Sequence, residues 1–363
     1  MNRPRVGFLG VGWIGRHRMQ AMIATGAVEA VAIVDPSSEC LDQARALAPG
    51  AAVLDSLDDL LAMRLDGVVI ATPSAAHAQQ AIRALDGGCA VFCQKPLGRD
   101  AAEAQAVVDA ARRADRLLSV DLSYRFTEAA SHVARLVRSG SLGTIRAVDL
   151  VFHNAYGPDK PWFYDRALAG GGCLIDLGVH LVDLALWVLD FPEVKTVSAS
   201  LQSGEQPFSM EGAVEDFAVA TLELVGGTIV RIACSWRLQA GRDAVIEASF
   251  FGTAGGVEFH NVGGSFYDFA ASALRGTQSL PLCGPPDDWG GRAAADWAIA
   301  LSRGNRFHAA AKSLVDVPAV LDRIYDAACS TVAARPSPTA ASGGTARRLS
   351  AGDQRRHSAR FVL

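Results

Sequence analysis

Arg5-Val6-Gly7-Phe8-Leu9-Gly10-Val11-Gly12-Trp13-Ile14-Gly15 is the stretch on which the fold turns. Its first five residues have the length and apolar character of a buried strand, and a helical pattern runs from Gly15 to Thr25. Between them stands G-x-G-x-x-G, in the strand–turn–helix setting that a dinucleotide-binding loop requires. Gly10 permits the tight turn, Gly12 leaves room for a pyrophosphate, and Gly15 lets helix and strand pack closely. The helix N-terminus adds partial positive charge. Gly10, Gly12, Trp13, Ile14 and Gly15 are therefore the first candidate cofactor contacts.

Working outward, the next strand, 28–34, ends at Asp35, twenty residues past Gly15. An acid there accepts hydrogen bonds from ribose hydroxyls and repels a 2′-phosphate, so NAD is expected over NADP. Asp35-Pro36-Ser37 also suits an ordinary turn and helix start, but the upstream glycines favour the cofactor reading. Helical patterns at 38–47, 57–62, 75–85 and 100–114 then alternate with apolar runs at 51–54, 67–71, 89–93 and 117–122. Such alternation predicts a parallel, doubly wound sheet over residues 1–122, with ligands off the carboxyl ends of its strands. Thr72, Pro73, Gln94 and Lys95 lie at such ends and are cofactor-side candidates. His77, in the first turn of its helix, is a candidate beside them and suits a structural or capping role equally. A lysine at position 95 can stabilise a developing alkoxide, although an isolated loop lysine is more often simply solvated.

A boundary is expected near Ser123-Tyr124-Arg125, with Tyr124 and Arg125 as candidate substrate contacts. Residues 123–335 change character. After a helix at 127–139 and a strand at 144–153 comes a loop, 154–166, whose Tyr156 and Trp162 could line a pocket for a ring-shaped substrate. Strand patterns at 194–202, 214–225, 228–238, 244–251 and 256–260 follow without intervening helices, which predicts an antiparallel sheet. Gly226-Gly227 is a hairpin signal. Helices at 288–301 and 315–333 are expected to close this second unit. The Pro-, Ser-, Gly- and Arg-rich tail, 336–363, lacks periodicity and is expected to be disordered.

Within the second unit, Gly170-Gly171-Gly172 leads into Cys173-Leu174-Ile175-Asp176-Leu177-Gly178-Val179-His180. Asp176 and His180 are four apart, so an α-helix puts them on one face. The surrounding positions are apolar nearly all round, which predicts burial. A buried carboxylate and imidazole are either a hydrogen-bonded pair that pins the helix or a functional site. The three glycines would let this helix come close to cofactor and substrate.

Composition bounds the rest. The chain has 363 residues, half of them hydrophobic, and a net charge of −4, which gives no electrostatic case for nucleic acid. Seven scattered cysteines without a CxxC suggest free thiols in a reducing, cytoplasmic setting. Cys89 and Cys93, in or beside a strand, fit small buried thiols. No window of about 18 residues lacks charge, so no membrane span is expected.

Taken in order, these landmarks resemble the glucose–fructose oxidoreductase/inositol dehydrogenase/rhizopine catabolism (Gfo/Idh/MocA) family. The matching features are G-x-G-x-x-G, Asp35, Thr72-Pro73 with His77, Gln94-Lys95-Pro96-Leu97, Gly140-Ser141-Leu142-Gly143 and GGG-x-x-x-D-x-G-x-H. The resemblance implies a Rossmann domain followed by an α+β domain with an open, mainly antiparallel sheet, which often packs against another subunit as a homodimer or homotetramer. It also implies NAD(P)-dependent hydride transfer at a hydroxyl of a sugar, cyclitol or related small molecule. Lys95, Asp176 and His180 match the family residues that act on the reacting hydroxyl, with His180 as base. One departure is plain: Gln94 stands where glutamate is usual, and it keeps the shape but lacks the charge. Two rival readings remain. One is a catalytically silent NAD-binding sensor or partner protein. The other is a metal enzyme using Asp176, His180 and His153, which is short of the usual ligand number; no metal is expected.

Overall fold

The computed structural model describes residues 3–333. Strands β1 (Arg5–Leu9), β2 (Glu29–Val34), β3 (Ala52–Val53), β4 (Gly67–Ile70), β5 (Ala90–Cys93) and β6 (Leu118–Val120) form one parallel sheet in the order β3-β2-β1-β4-β5-β6. Helices α1 (Trp13–Ala24), α2 (Ser38–Leu47), α3 (Leu57–Ala62), α4 (Ser74–Asp86) and α5 (Ala101–Ala114) alternate with them. Every residue of β4 and β5 is buried, as a parallel sheet covered on both faces requires. Strand order reverses between β1 and β4, which opens a crevice at their carboxyl ends. Ser37, Ser56 and Asp100 cap α2, α3 and α5. In contrast, α1 starts at Gly12 with no side-chain cap and no acid in its first turn.

The second half contributes α6 (Glu128–Arg138), β7 (Ile145–Asn154), the short α7 (Arg166–Ala169), a π-helical segment Leu174–Gly178 and α8 (Val179–Val188). Strands β8 (Val194–Ser203), β9 (Gln206–Pro207), β10 (Phe217–Leu224), β11 (Ile229–Ser235), β12 (Ala244–Gly252), β13 (Gly256–Asn261), β14 (Phe269–Arg275) and β15 (Gln278–Cys283) follow. With β7 they build a nine-stranded sheet, β15-β14-β13-β12-β7-β11-β10-β8-β9. Its pairings are antiparallel except for β7 with β11. Alternate residues of β7, Val148, Leu150 and Phe152, point into a core shared with Leu174, Leu181 and Val182. Gly226 and Gly227, both at positive φ, join β10 to β11. The apolar stretch Arg166–Val188 is long enough to span a membrane but lies buried inside this core.

Two features depart from the sequence expectation. The β14–β15 hairpin lies beyond the expected strands, because β14 is alanine-rich and β15 carries Pro281, so neither has a clear strand signature. Helix α9 (Arg292–Arg303) packs on the first sheet instead of closing the second unit: Trp297 is buried in one cluster with Phe8 and Phe92. Of the two closing helices, α10 (Asp316–Ala333) is the one that packs on the second sheet, against β8. The tail, 336–363, lies outside the described residues. All seven cysteines are free; Cys89 and Cys93 are buried, and burial pushes the Cys89 thiol up to about 11.

Candidate active site

The glycine loop has the shape its sequence predicts. Gly10 sits at φ +87°, where a Cβ would lie 2.5 Å from the Ala71 carbonyl oxygen, and at Gly15 it would lie 2.1 Å from that of Gly10. Nothing stands within 4 Å of a Cβ at Gly12, so the loop is open there, over the uncapped N-terminus of α1. Open space, unpaired first-turn N–H groups and no competing acid suit a pyrophosphate. Asp35 accepts the Val11 N–H on Oδ2 at 2.8 Å and the Ser37 N–H on Oδ1 at 2.9 Å. Each oxygen keeps lone-pair capacity for a ribose hydroxyl. These residues fit a dinucleotide.

Lys95 follows β5 and reaches across to the second half. Its Nζ donates to the Asp176 carbonyl oxygen at 2.7 Å and to Asp176 Oδ1 at 2.8 Å. The other carboxylate oxygen of Asp176 accepts from Trp236 Nε1 at 3.1 Å. Asp176 makes no hydrogen bond to His180 among the described residues. Both carboxylate oxygens are engaged elsewhere, Oδ1 by Lys95 and Oδ2 by Trp236, on a segment, 174–178, that closes as a π-helix. His180 instead packs edge-on to Tyr124, ring centroids 4.7 Å apart, and its Nδ1 lacks a partner among the described residues. Burial, then the Lys95 and Arg18 cations, holds the imidazole pKa well below its ordinary value.

The glycine run serves the fold more directly than a ligand. A Cβ at Gly172 would fall 1.9 Å from the Glu215 carbonyl oxygen, and at Gly171 2.0 Å from the Tyr325 hydroxyl. Glu215, fully buried, accepts the N–H groups of Gly172 (2.8 Å) and Leu174 (3.0 Å) and the Tyr325 hydroxyl (2.7 Å) on Oε1. A buried carboxylate thus caps the segment that carries Asp176.

Two cavities flank Lys95. One of about 450 Å³ is lined by Lys95, His180, Tyr124, Tyr267, Trp289 and Asp121. The other, about 320 Å³, is lined by Thr72, His77, Lys95, Trp162 and Asp176, and Ile14 and Gln94 border both. Trp13 is 56% exposed and stacks on His17 at the mouth of the larger one. Thr72 and Pro73 lead into α4, and the Thr72 hydroxyl is engaged with Gln80. His77 has Nδ1 2.7 Å from the Pro96 carbonyl oxygen and Nε2 2.7 Å from that of Thr72, so it clasps two strand-end loops and has no polar atom left for a cofactor.

Two candidates do not reach the site. Arg125 is held bidentately by the buried Asp183 and lies over the Trp187 and Phe191 rings, on the wall of a different groove. Tyr156 is 52% exposed and touches the larger cavity only through Phe266. His153 is bonded to Ser235 and stacked on Phe217. Sequence reasoning missed Trp236, Trp289, Glu215 and Asp121. The last had a signal, since it follows β6 as Gln94 follows β5.

Comparison with known proteins agrees with this fold. Residues 4–122 match the oxidoreductase family with an NAD-binding Rossmann fold, and 131–258 match the GFO/IDH/MocA C-terminal domain. D-glucoside 3-dehydrogenase of Escherichia coli is 31% identical over 270 residues, 69% of this chain and 76% of that protein. The chain belongs to the Gfo/Idh/MocA family. Inositol 2-dehydrogenase 3 of Saccharopolyspora erythraea is 28% identical over 70% of this chain and 72% of its own. Among solved structures, GenD2 from gentamicin A biosynthesis, in complex with NAD, superposes with a TM-score of 0.77 at 26% identity, covering 91% of this chain and 95% of that one. KijD10, a 3-ketoreductase from Actinomadura kijaniata with NADP bound, shares the fold with a TM-score of 0.77 at 21% identity, over 90% and 98% of the two chains. The protein is thus an oxidoreductase of that family with an NAD(P)-binding Rossmann domain.

Proposed function

We propose that this enzyme oxidises one secondary hydroxyl of a cyclic polyhydroxy compound, a glycoside or a cyclitol, with NAD in preference to NADP. The observation that carries the reading is that Lys95, fixed by Asp176, and His180 border one aromatic-walled cavity. His180, neutral because its pKa is depressed, accepts the hydroxyl proton. The Lys95 ammonium stabilises the developing oxyanion, and Asp176 holds that ammonium in place. NAD, when bound, supplies the hydride acceptor. Gly12 and the N-terminus of α1 would hold its pyrophosphate, Asp35 its adenosine ribose, and Ile14 and Thr72 its nicotinamide half. The same groups serve the reverse reduction. Tyr124, Tyr267 and Trp289 offer apolar ring faces to the CH face of a sugar or inositol, and the named relatives act on substrates of that class.

The Asp35 charge supports NAD over NADP. Partly exposed Val219, Ile229 and Phe251 on the open face of the second sheet support a homo-oligomer through that face, and the seven free thiols support a cytoplasmic setting. The test is reduction of NAD and of NADP across a panel of glycosides, sugars and inositols. Wild type is expected to turn over one class with NAD, and His180→Ala to lose at least about 100-fold in kcat while still binding NADH. Unchanged turnover by His180→Ala would overturn the assignment.

A further inference from the structure

Gln94 and Asp121 have no role in the reaction as described, yet they stand beside it. In the β5–β6 register Cys93 pairs with Val120, so the next residues, Gln94 and Asp121, are neighbours at the strand ends. The Gln94 amide donates to Asp121 Oδ2, and its own Oε1 accepts the Lys95 backbone N–H at 3.2 Å. Arg18 of α1 donates from Nε to the same Oδ2 at 2.6 Å, and both ion-pair partners are over nine-tenths buried. A buried carboxylate, neutralised by one guanidinium, is thereby linked through an amide to the peptide of the active-site lysine. A carboxylate at position 94 would face Asp121 where the amide N–H now bonds, setting two anions against one cation.

We propose that Asp121, clamped by Arg18, is the positioning residue for Lys95, and that Gln94 must be a neutral amide to transmit that constraint. The proposal rests on the reading of Lys95 as the oxyanion stabiliser. It makes the unusual Gln94 one half of a matched pair.

The test uses the full-length enzyme and the variants Gln94→Glu, Gln94→Met and Gln94→Glu/Asp121→Asn, read by Tm between about pH 5 and pH 9 and by kcat and KM. Burial and Asp121 raise the pKa of a carboxyl introduced at position 94 above its unfolded value of about 4.3. The stability this group retains is therefore present at low pH and lost as pH rises through the raised pKa. The other charged or titratable groups around it are Arg18 and His17 of α1, His77 of α4, Cys93, Lys95, Tyr124, Asp176, His180, Tyr267 and Asp288. Asp287 is paired with Arg292. The pKa values of His17 and His180 are lowered, so neither supplies a cation to offset the added charge at the upper end of the range.

Gln94→Glu is expected to match wild type near pH 5 and to lose Tm and at least about tenfold in kcat by pH 8, with KM little changed. The double variant restores a single carboxylate and is expected to recover both. Gln94→Met adds no charge and is expected to lower kcat with a Tm difference that does not change with pH. Wild-type kcat together with a pH-independent Tm in Gln94→Glu would overturn the proposal, as would a double variant no better than Gln94→Glu. If wild type oxidises nothing on the panel, the dehydrogenase reading alone falls, because the Tm arm still decides the charge arrangement without substrate.

Discussion

At the scale of single residues, His180 carries the sharpest consequence. A ring with no partner on Nδ1 among the described residues, packed against Tyr124 and Phe152 and close to two cations, resists protonation. For substrate oxidation the base must be neutral, so the acid limb of the kcat/KM profile is expected below the ordinary histidine value of about 6.5. A limb at or above that value would remove His180 from the role. The linked stability has the matching sign: a depressed folded pKa gives a contribution present above about pH 6.5 that is lost as pH falls and the unfolded ring takes up a proton. Residue types were the legible part of this site. Lys95 at a strand end and His180 on an apolar helix are chemically costly placements, and sequence exposes such placements. Which group Asp176 serves was not legible, because its partners Lys95 and Trp236 stand 81 and 60 positions away in the chain. The same limit applies to Arg125, whose side chain answers Asp183, a partner 58 positions away.

At the scale of elements, the segment from Gly170 to Val188 shows what glycines can do in one stretch. Gly171 and Gly172 are small because Tyr325 and the Glu215 backbone occupy the space a side chain would take. Gly12 is small for a different reason: its space is open. The two cases separate in one experiment. Gly172→Ala is expected to cost more than about 3 kcal/mol, seen as a large fall in Tm or as insoluble protein. Gly12→Ala, whose φ of −58° any residue can adopt, is expected to keep Tm within a degree or two but to weaken NADH binding, measured by fluorescence titration. Equal effects on both readouts would mean that the two loops share one role. The sequence located both glycine motifs, but from composition alone a glycine facing a ligand and one facing a buried carboxylate look the same.

At the scale of the whole molecule, the return of α9 ties the C-terminal part of the chain to the first sheet. Trp297 fills the space over Gly67, where a Cβ would lie 2.7 Å from its ring, and packs 5.9 Å from the Phe92 ring. Trp297→Ala is expected to cost about 3–5 kcal/mol and to lower the Tm of the protein. No loss of Tm would show that α9 is a detachable appendage. The sequence by itself determined the alternation of strands and helices, the dinucleotide loop and the change to an antiparallel sheet, and it singled out Lys95, Asp176 and His180 as candidates. Those follow from period, from glycine geometry and from the cost of burying charge, which are local properties of the chain. Only the tertiary structure decided that Asp176 grips Lys95 and not His180, that Glu215 caps the π-helical turn, that Asp121 answers Gln94, and that α9 belongs to the first sheet. Each of these is a contact between distant segments, fixed by register and space-filling once the two sheets have formed.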